Sequence, residues 1–298
     1  GTLLNDTGGV FDLQNNGTVT NGSGVFENKG TVQKTGAVAS NFSSFDSIFN
    51  NTNGTIDVQV DGIRLNGGGT QTGTMTLNNG RLQFRNGNYT FANGFTLDGS
   101  GELYIKADGA QTVTTTMGGT MDVNGILTTG NIGSTTFNLT DTLNVDGTFN
   151  MGGGIIELNA GSITNKGIIN WTGGALNFSN GGSIANSSTG SLNVQTGTMN
   201  IASSFTNNGL LNVSSGNTFQ VSGANFINAS GGTIKGIGTL VTPASGLINN
   251  GTIAAGASPG TLDITGDLTL NSSSVIQAEL GGNTKGSNYD LIDVSGNV

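Results

Sequence analysis

Arg81-Leu82-Gln83-Phe84-Arg85 is followed, 21 residues later, by Glu102-Leu103-Tyr104-Ile105-Lys106. If Leu82 and Phe84 stack under Leu103 and Ile105, the outward residues form columns: Arg81 over Glu102, Gln83 over Tyr104, Arg85 over Lys106. Guanidinium, amide and phenol groups on one face, with Tyr89 nearby, are the chemistry of a glycan-binding platform. The plainer reading is a salt-bridged, solubilising face whose arginine stems cover apolar surface.

Catalytic chemistry has little to work with. The chain has no His and no Cys, which removes imidazole bases, thiol nucleophiles and the usual zinc ligands together. Carboxylates occur in close pairs, Asp57/Asp61, Asp141/Asp146, Asp263/Asp267 and Asp290/Asp293. Glycoside hydrolysis needs two carboxylates in a cleft at set separations, and closeness along a strand does not make a cleft. No aspartate cluster has the form of a calcium loop, and the glycine-aspartate nonapeptide of calcium-binding solenoids is missing. The expectation is therefore no enzyme, no cofactor and no metal. Threonine groups such as Thr74/Thr76 and Thr112/Thr114/Thr116 suggest an ice-binding face only by residue type, since they do not read as repeating on consecutive coils. Sequons such as those at Asn53 and Asn228 are expected by chance in so Asn-rich a chain.

The elements that position these residues are written as a repeat. Its clearest copy is Phe205-Thr206-Asn207-Asn208-Gly209-Leu210-Leu211-Asn212-Val213, with others at 163–171, 184–194, 226–234 and 247–253 and looser ones at 26–32 and 49–58. The glycines Gly167, Gly190, Gly209, Gly232 and Gly251 are spaced by 23, 19, 23 and 19 residues. A period near twenty containing period-two apolar alternation predicts a solenoid of short strands. Ile63/Leu65, Met75/Leu77, Leu82/Phe84, Phe95/Leu97, Leu103/Ile105 and Met121/Val123 alternate as strand interiors should. Leu211/Val213, Phe219/Val221 and Phe226 make three runs in one coil, hence about 21 residues and three short strands per coil, on the order of 14 coils. Each repeat glycine is assigned a corner needing positive φ. The Asn beside it is expected to share that conformation or to bond its own backbone. Asn170, Asn193 and Asn212, each three residues after a repeat glycine, are predicted to form an amide ladder. Trp171 occupies the slot of Val194 and Val213, a core position.

Composition agrees with a solenoid. Hydrophobic residues are 34% and charged residues 9% of 298, with 53 glycines; disorder would pair low hydrophobicity with high charge. A net charge of −9 with only nine Lys and Arg leaves nothing to neutralise a run of phosphates, so nucleic acid is not an expected partner. No apolar stretch approaches the length of a membrane span, and Gly1 opens in solenoid-like sequence without signal-peptide features.

The C-terminal residues carry a resemblance. Ser258-Pro259-Gly260-Thr261-Leu262, Gly266-Asp267-Leu268-Thr269-Leu270, Glu279 and Tyr289-Asp290 look like the repeat common in passenger domains of bacterial autotransporters and related large surface adhesins. The resemblance covers about 40 of 298 residues; it implies a right-handed parallel β-helix exported to the cell surface.

The expected organisation is one all-β solenoid over 1–298, with irregular initial coils at 1–50, regular coils at 51–257 and autotransporter-type coils at 258–298. Its expected role is structural or adhesive, extracellular and non-catalytic. The alternatives are a head-to-tail filament subunit and a carbohydrate-active β-helix enzyme. Partners are further coils or copies at open ends, since no cap is legible at either end, and surface glycans at Arg81, Arg85, Tyr104 and Lys106.

Overall fold

A strand of three or four residues cannot satisfy its own backbone N–H and C=O groups, so each must find a partner strand elsewhere. In the computed structural model that partner is the segment one turn further along the chain, and the pairing is parallel throughout the named ladders. The structure describes residues 1–20, 22–36, 42–130, 134–256, 259–285 and 287–298, and no helix occurs among them. It is a β-solenoid of three strands per turn. The second of the three faces shows thirteen strands among the described residues, one fewer than the coil count expected from a uniform 21-residue period. Turn length varies in the first half: Thr2 aligns with Val25 and Val25 with Ile48, and Gly87 with Val113, but Gly62 with Arg81 and Ile56 with Met75.

The chain divides into two compact units, Gly1–Glu157 and Leu158–Val298. In the first, residues 1–50 already stack in register: Thr2–Asn5 on Val25–Asn28, and Val10–Asp12 on Thr31–Val32-Gln33. Thr18–Val19 pairs with Ser44-Phe45 on the third face, whereas Thr31 lies on the second. The 13-residue interval between Gly17 and Gly30 therefore separates different sides of the stack. In the second unit the three runs Leu210–Val213, Thr218–Val221 and Phe226–Asn228 fall on three different faces.

The core follows the alternation. Every apolar pair named above from Ile63/Leu65 to Met121/Val123 is buried. Aromatic rings interlock along the interior: Phe26 stacks on Phe49 at 5.2 Å between centroids, and Phe205, Phe219 and Phe226 lie within 5.0–5.9 Å of one another. Trp171 is 2% exposed and aligns with Val194, as its slot predicts.

Tyr89 belongs to this core rather than to a surface platform. It is 1% exposed, its ring stacks on Phe84 at 4.0 Å, and its hydroxyl lies 2.6 Å from the carbonyl of Leu65 and 2.9 Å from that of Asn86. Burial raises its pKa above the ordinary phenol value. The unfolded chain releases that proton near pH 10 while the folded chain retains it, so Tyr89's contribution is complete below about pH 10 and is lost as pH rises beyond it. Melting temperatures taken from about pH 8 to 12 should fall more steeply in the parent than in Tyr89→Phe. Parallel alkaline limbs would contradict this placement.

The repeat glycines do a different task from the one assigned by sequence. Gly190, Gly209, Gly232 and Gly251 do not adopt positive φ. A Cβ at Gly209 would instead fall within 3.0 Å of the carbonyl oxygens of Gly190 and Ser187 in the turn beneath, and one at Gly251 would meet those of Ala229 and Gly232. Close stacking of successive corners is what excludes a side chain. Positive φ occurs at other glycines, among them Gly197 and Gly216, with open space around them.

Candidate functional site

The third face of the first unit carries the charged strands. Arg81, Leu82, Gln83 and Phe84 align with Glu102, Leu103, Tyr104 and Ile105, and with Gly62, Ile63, Arg64 and Leu65 on the other side. The predicted columns are therefore present. Lys106 N–H donates to the Phe84 carbonyl at 3.0 Å, which continues the register to Arg85 and Lys106.

The side chains on this face are mutually engaged. Arg81 pairs with Glu102 at 2.5 Å, and Arg85 reaches Asp108 with Nε 2.9 Å from Oδ2. The Tyr104 ring is approached by two cations, Arg81 at 5.0 Å and Lys106 at 5.3 Å from its centroid. Gln83 is 5% exposed, accepting from Arg64 Nε at 3.2 Å and donating to the Lys106 carbonyl. Arg64 lies 4.0 Å over the Phe42 ring. Its pKa is lowered, first by desolvation and then by the charge of Arg85, while Asp108 opposes the shift. Four of the nine cationic residues thus lie within three successive turns.

At the leading corner of this face is a hollow of about 400 Å³, lined by Phe42, Asp61, Asn79, Arg81, Ser100 and Glu102. Its wall is the stacked corners Asn79-Gly80 and Ser100-Gly101. Asp61 stands at a left-handed backbone position, φ 51°, and its Oδ2 is buried without a hydrogen-bond partner among the described residues. The sequence pairing of Asp57 with Asp61 is not what the hollow brings together. Asp57 accepts from Gln59 and Asn78 and is not part of the lining, whereas Glu102 is. Phe42, Asn79 and Ser100 were not legible as site residues; the signal was the Asx/Ser-Gly corner recurring at Asn79-Gly80 and Ser100-Gly101.

The remaining acidic pairs are structural in their contacts. Asp290 is 8% exposed and accepts the backbone N–H groups of Gly260 at 2.7 Å and Glu279 at 2.9 Å, tying the segment before it to the last turns. Asp263 aligns with Asp293, a like-charge stack relieved by Lys285 at 3.1 Å from Asp293. Asp267 accepts from the backbone and side chain of Asn297, and Asp141 from Thr120 and Thr142. A second hollow, about 600 Å³ in the second unit, includes Lys235, Gln277, Glu279 and Asp290. Ser258 of the C-terminal motif lies outside the described residues. No group of three carboxylates is placed to hold a metal ion among the described residues, and no helix is long and apolar enough to cross a membrane.

Two sequence readings of the polar rows change. Threonines do repeat on consecutive turns of the first face: Thr70 aligns with Thr90, Thr90 with Thr116, and Thr114 with Thr136. Unequal turn lengths hide this alignment in the sequence. The Asn170, Asn193 and Asn212 row is in register, but half-buried and loosely bonded, at 3.0 and 3.5 Å. The tight ladder is made by the Asn of the repeat phrase itself. Asn165, Asn186, Asn207, Asn228 and Asn249 are at most 1% exposed, and each of the first four donates from Nδ2 to the next Oδ1 at 2.7–2.9 Å. Asn207 and Asn249 also bond the carbonyl two residues on, so the expected local bond exists alongside the ladder. Asn5, Asn28 and Asn51 form a similar ladder in the first unit, on the first face rather than the second, at 2.7 Å per step.

Compared with known proteins, the chain matches no family model, no curated protein and no solved structure.

Proposed function

We propose that this chain is a structural and adhesive β-solenoid of a bacterial cell surface, exported and without catalytic activity, whose turns stack on further turns at open edges. The C-terminal repeat resembling autotransporter passengers supports the surface location. The observation that supports the stacking is the parallel pairing of successive turns on one another, a geometry that a further turn of the same kind extends. The strand Thr2–Asn5 pairs with Val25–Asn28 and has Leu3 and Leu4 42% and 50% exposed. Val275–Gln277 likewise leaves Val275 and Ile276 52% and 44% exposed. Unpaired N–H and C=O groups beside apolar side chains are a template for another strand, supplied by further coils or by a second copy. Unlike ends joined head to tail need not close, and so give filaments.

The platform of Arg81, Arg85, Tyr104 and Lys106 is the adhesive part of this proposal. Acidic groups elsewhere support the non-catalytic part, because those described above are bonded into the frame.

Sedimentation velocity over a wide concentration range tests the stacking. The expected result is species that lengthen with concentration, and their loss in Leu4→Lys/Val10→Lys, which places charge on the open edge. A monomer at the highest concentration, with terminal-strand amides protected from exchange, would overturn it. Surface biotinylation of intact cells expressing the protein tests the location; labelling only after lysis would exclude it.

A further inference from the structure

We infer that the hollow at the corner of the charged face, formed by Phe42, Asp61, Asn79, Arg81, Ser100 and Glu102, binds one uncharged pyranose unit of a glycan. This rests on the adhesive part of the proposed function and names its ligand class.

Three observations converge. The first is Asp61, whose carboxylate lines the hollow. A carboxylate is a strong acceptor for a hydroxyl group, and a sugar hydroxyl supplies the proton without bringing charge. The second is the neighbouring ion pair. Glu102 is already neutralised by Arg81 at 2.5 Å, so the pair offers fixed donors and acceptors to hydroxyl groups, while the two carboxylates repel an acidic sugar. The third is shape. About 400 Å³ is in the range of small-ligand sites, and Phe42, its ring fixed by Arg64 at 4.0 Å, gives an apolar wall for the C–H face of a pyranose. The backbone of the glycine corners Gly80 and Gly101 lines the hollow too.

Asp61 acts as the orienting acceptor. Its left-handed backbone position, φ 51°, is one that Asn also tolerates, which makes Asp61→Asn a clean probe: it removes the charge and preserves shape and fold.

The probes are methyl glycosides of glucose, galactose, mannose and N-acetylglucosamine, followed by saturation-transfer and backbone amide NMR on the full chain. The expected result is binding of at least one, with shifts at Asn79–Arg81 and Ser100–Glu102. Asp61→Asn should weaken it at least about tenfold, the loss of one charged hydrogen bond, with an unchanged melting curve. Thr206→Ala, an exposed residue on a different face and outside the lining, should bind as the parent does. Binding of none of these glycosides, equal binding by Asp61→Asn, or shifts produced by calcium alone would each overturn the inference. Failure here with concentration-dependent lengthening intact would leave the stacking proposal standing, and the reverse result would separate them the other way.

Discussion

Replacing Gly209 by Ala should destabilise the protein by about 3 kcal/mol, nearly as much as replacing it by Val, because the first carbon added already collides with backbone. The carbonyl oxygens of Gly190 and Ser187 lie within 3.0 Å of the Cβ position, and neither can swing aside without breaking a bond of the turn beneath. Ser187 O accepts the Gly190 N–H at 2.9 Å, and Gly190 O accepts the Leu210 N–H at 2.8 Å. Gly216 is the contrasting case. It adopts φ 72° with nothing within 4 Å of its Cβ position, so Gly216→Ala should cost only the left-handed backbone penalty, about 1 kcal/mol. Urea denaturation of the three variants separates steric exclusion from dihedral demand. A mild Gly209→Ala beside a severe Gly209→Val would return the site to the dihedral explanation.

That contrast marks what the sequence could and could not reveal. Apolar alternation is a direct imprint of strand geometry, so the strands, their inward residues and the Arg81/Glu102 and Gln83/Tyr104 columns were legible. Gly is read in sequence as a request for positive φ, yet stacked corners exclude a Cβ for a reason that exists only between turns. The glycine spacing of 23, 19, 23 and 19 also concealed a stricter rule. Asn165, Asn186, Asn207, Asn228 and Asn249 are each 21 residues apart, while the corner from Asn to Gly alternates between two residues, as in Asn207-Asn208-Gly209, and four, as in Asn228-Ala229-Ser230-Gly231-Gly232. The ladder holds its period and the corner absorbs the variation. The hollow was not legible because Phe42, Asp61, Arg81 and Glu102 come from four successive turns of one face, and Tyr89 was misplaced because an aromatic in a polar stretch carries no mark of which way it points.

The buried asparagine ladder has a direction, and its direction predicts unequal costs along it. Each Nδ2 donates forward to the next Oδ1, and its other proton goes to a backbone carbonyl, as Asn186 does to Leu210 at 2.9 Å. Removing an interior rung therefore strands the donor of the rung before it. Asn207→Leu leaves one N–H of Asn186 buried without an acceptor and deprives the carbonyls of Gly209 and Thr233 of their donor; about 3 kcal/mol or more is expected. Asn165 is different, because its Oδ1 receives no donor among the described residues. Asn165→Leu strands no N–H, though it deprives Asn186 Oδ1 and the Ser191 carbonyl of a donor, and should cost less than Asn207→Leu, about 1–2 kcal/mol. A stacked amide is not required for a column to continue. On the first face of the first unit the comparable column passes from Asn51 to Gln71 and then to the apolar Phe91 and Met117, so an apolar side chain can follow an amide in an interior column. Asn193→Ala, in the half-buried outer row, should be the mildest of the three, within about 0.5 kcal/mol. Urea midpoints of these variants, read with hydrogen exchange at Asn186 and Asn228, test the ordering. Equal costs for Asn165→Leu and Asn207→Leu would mean that volume, not the stranded donor, governs the interior of the turn.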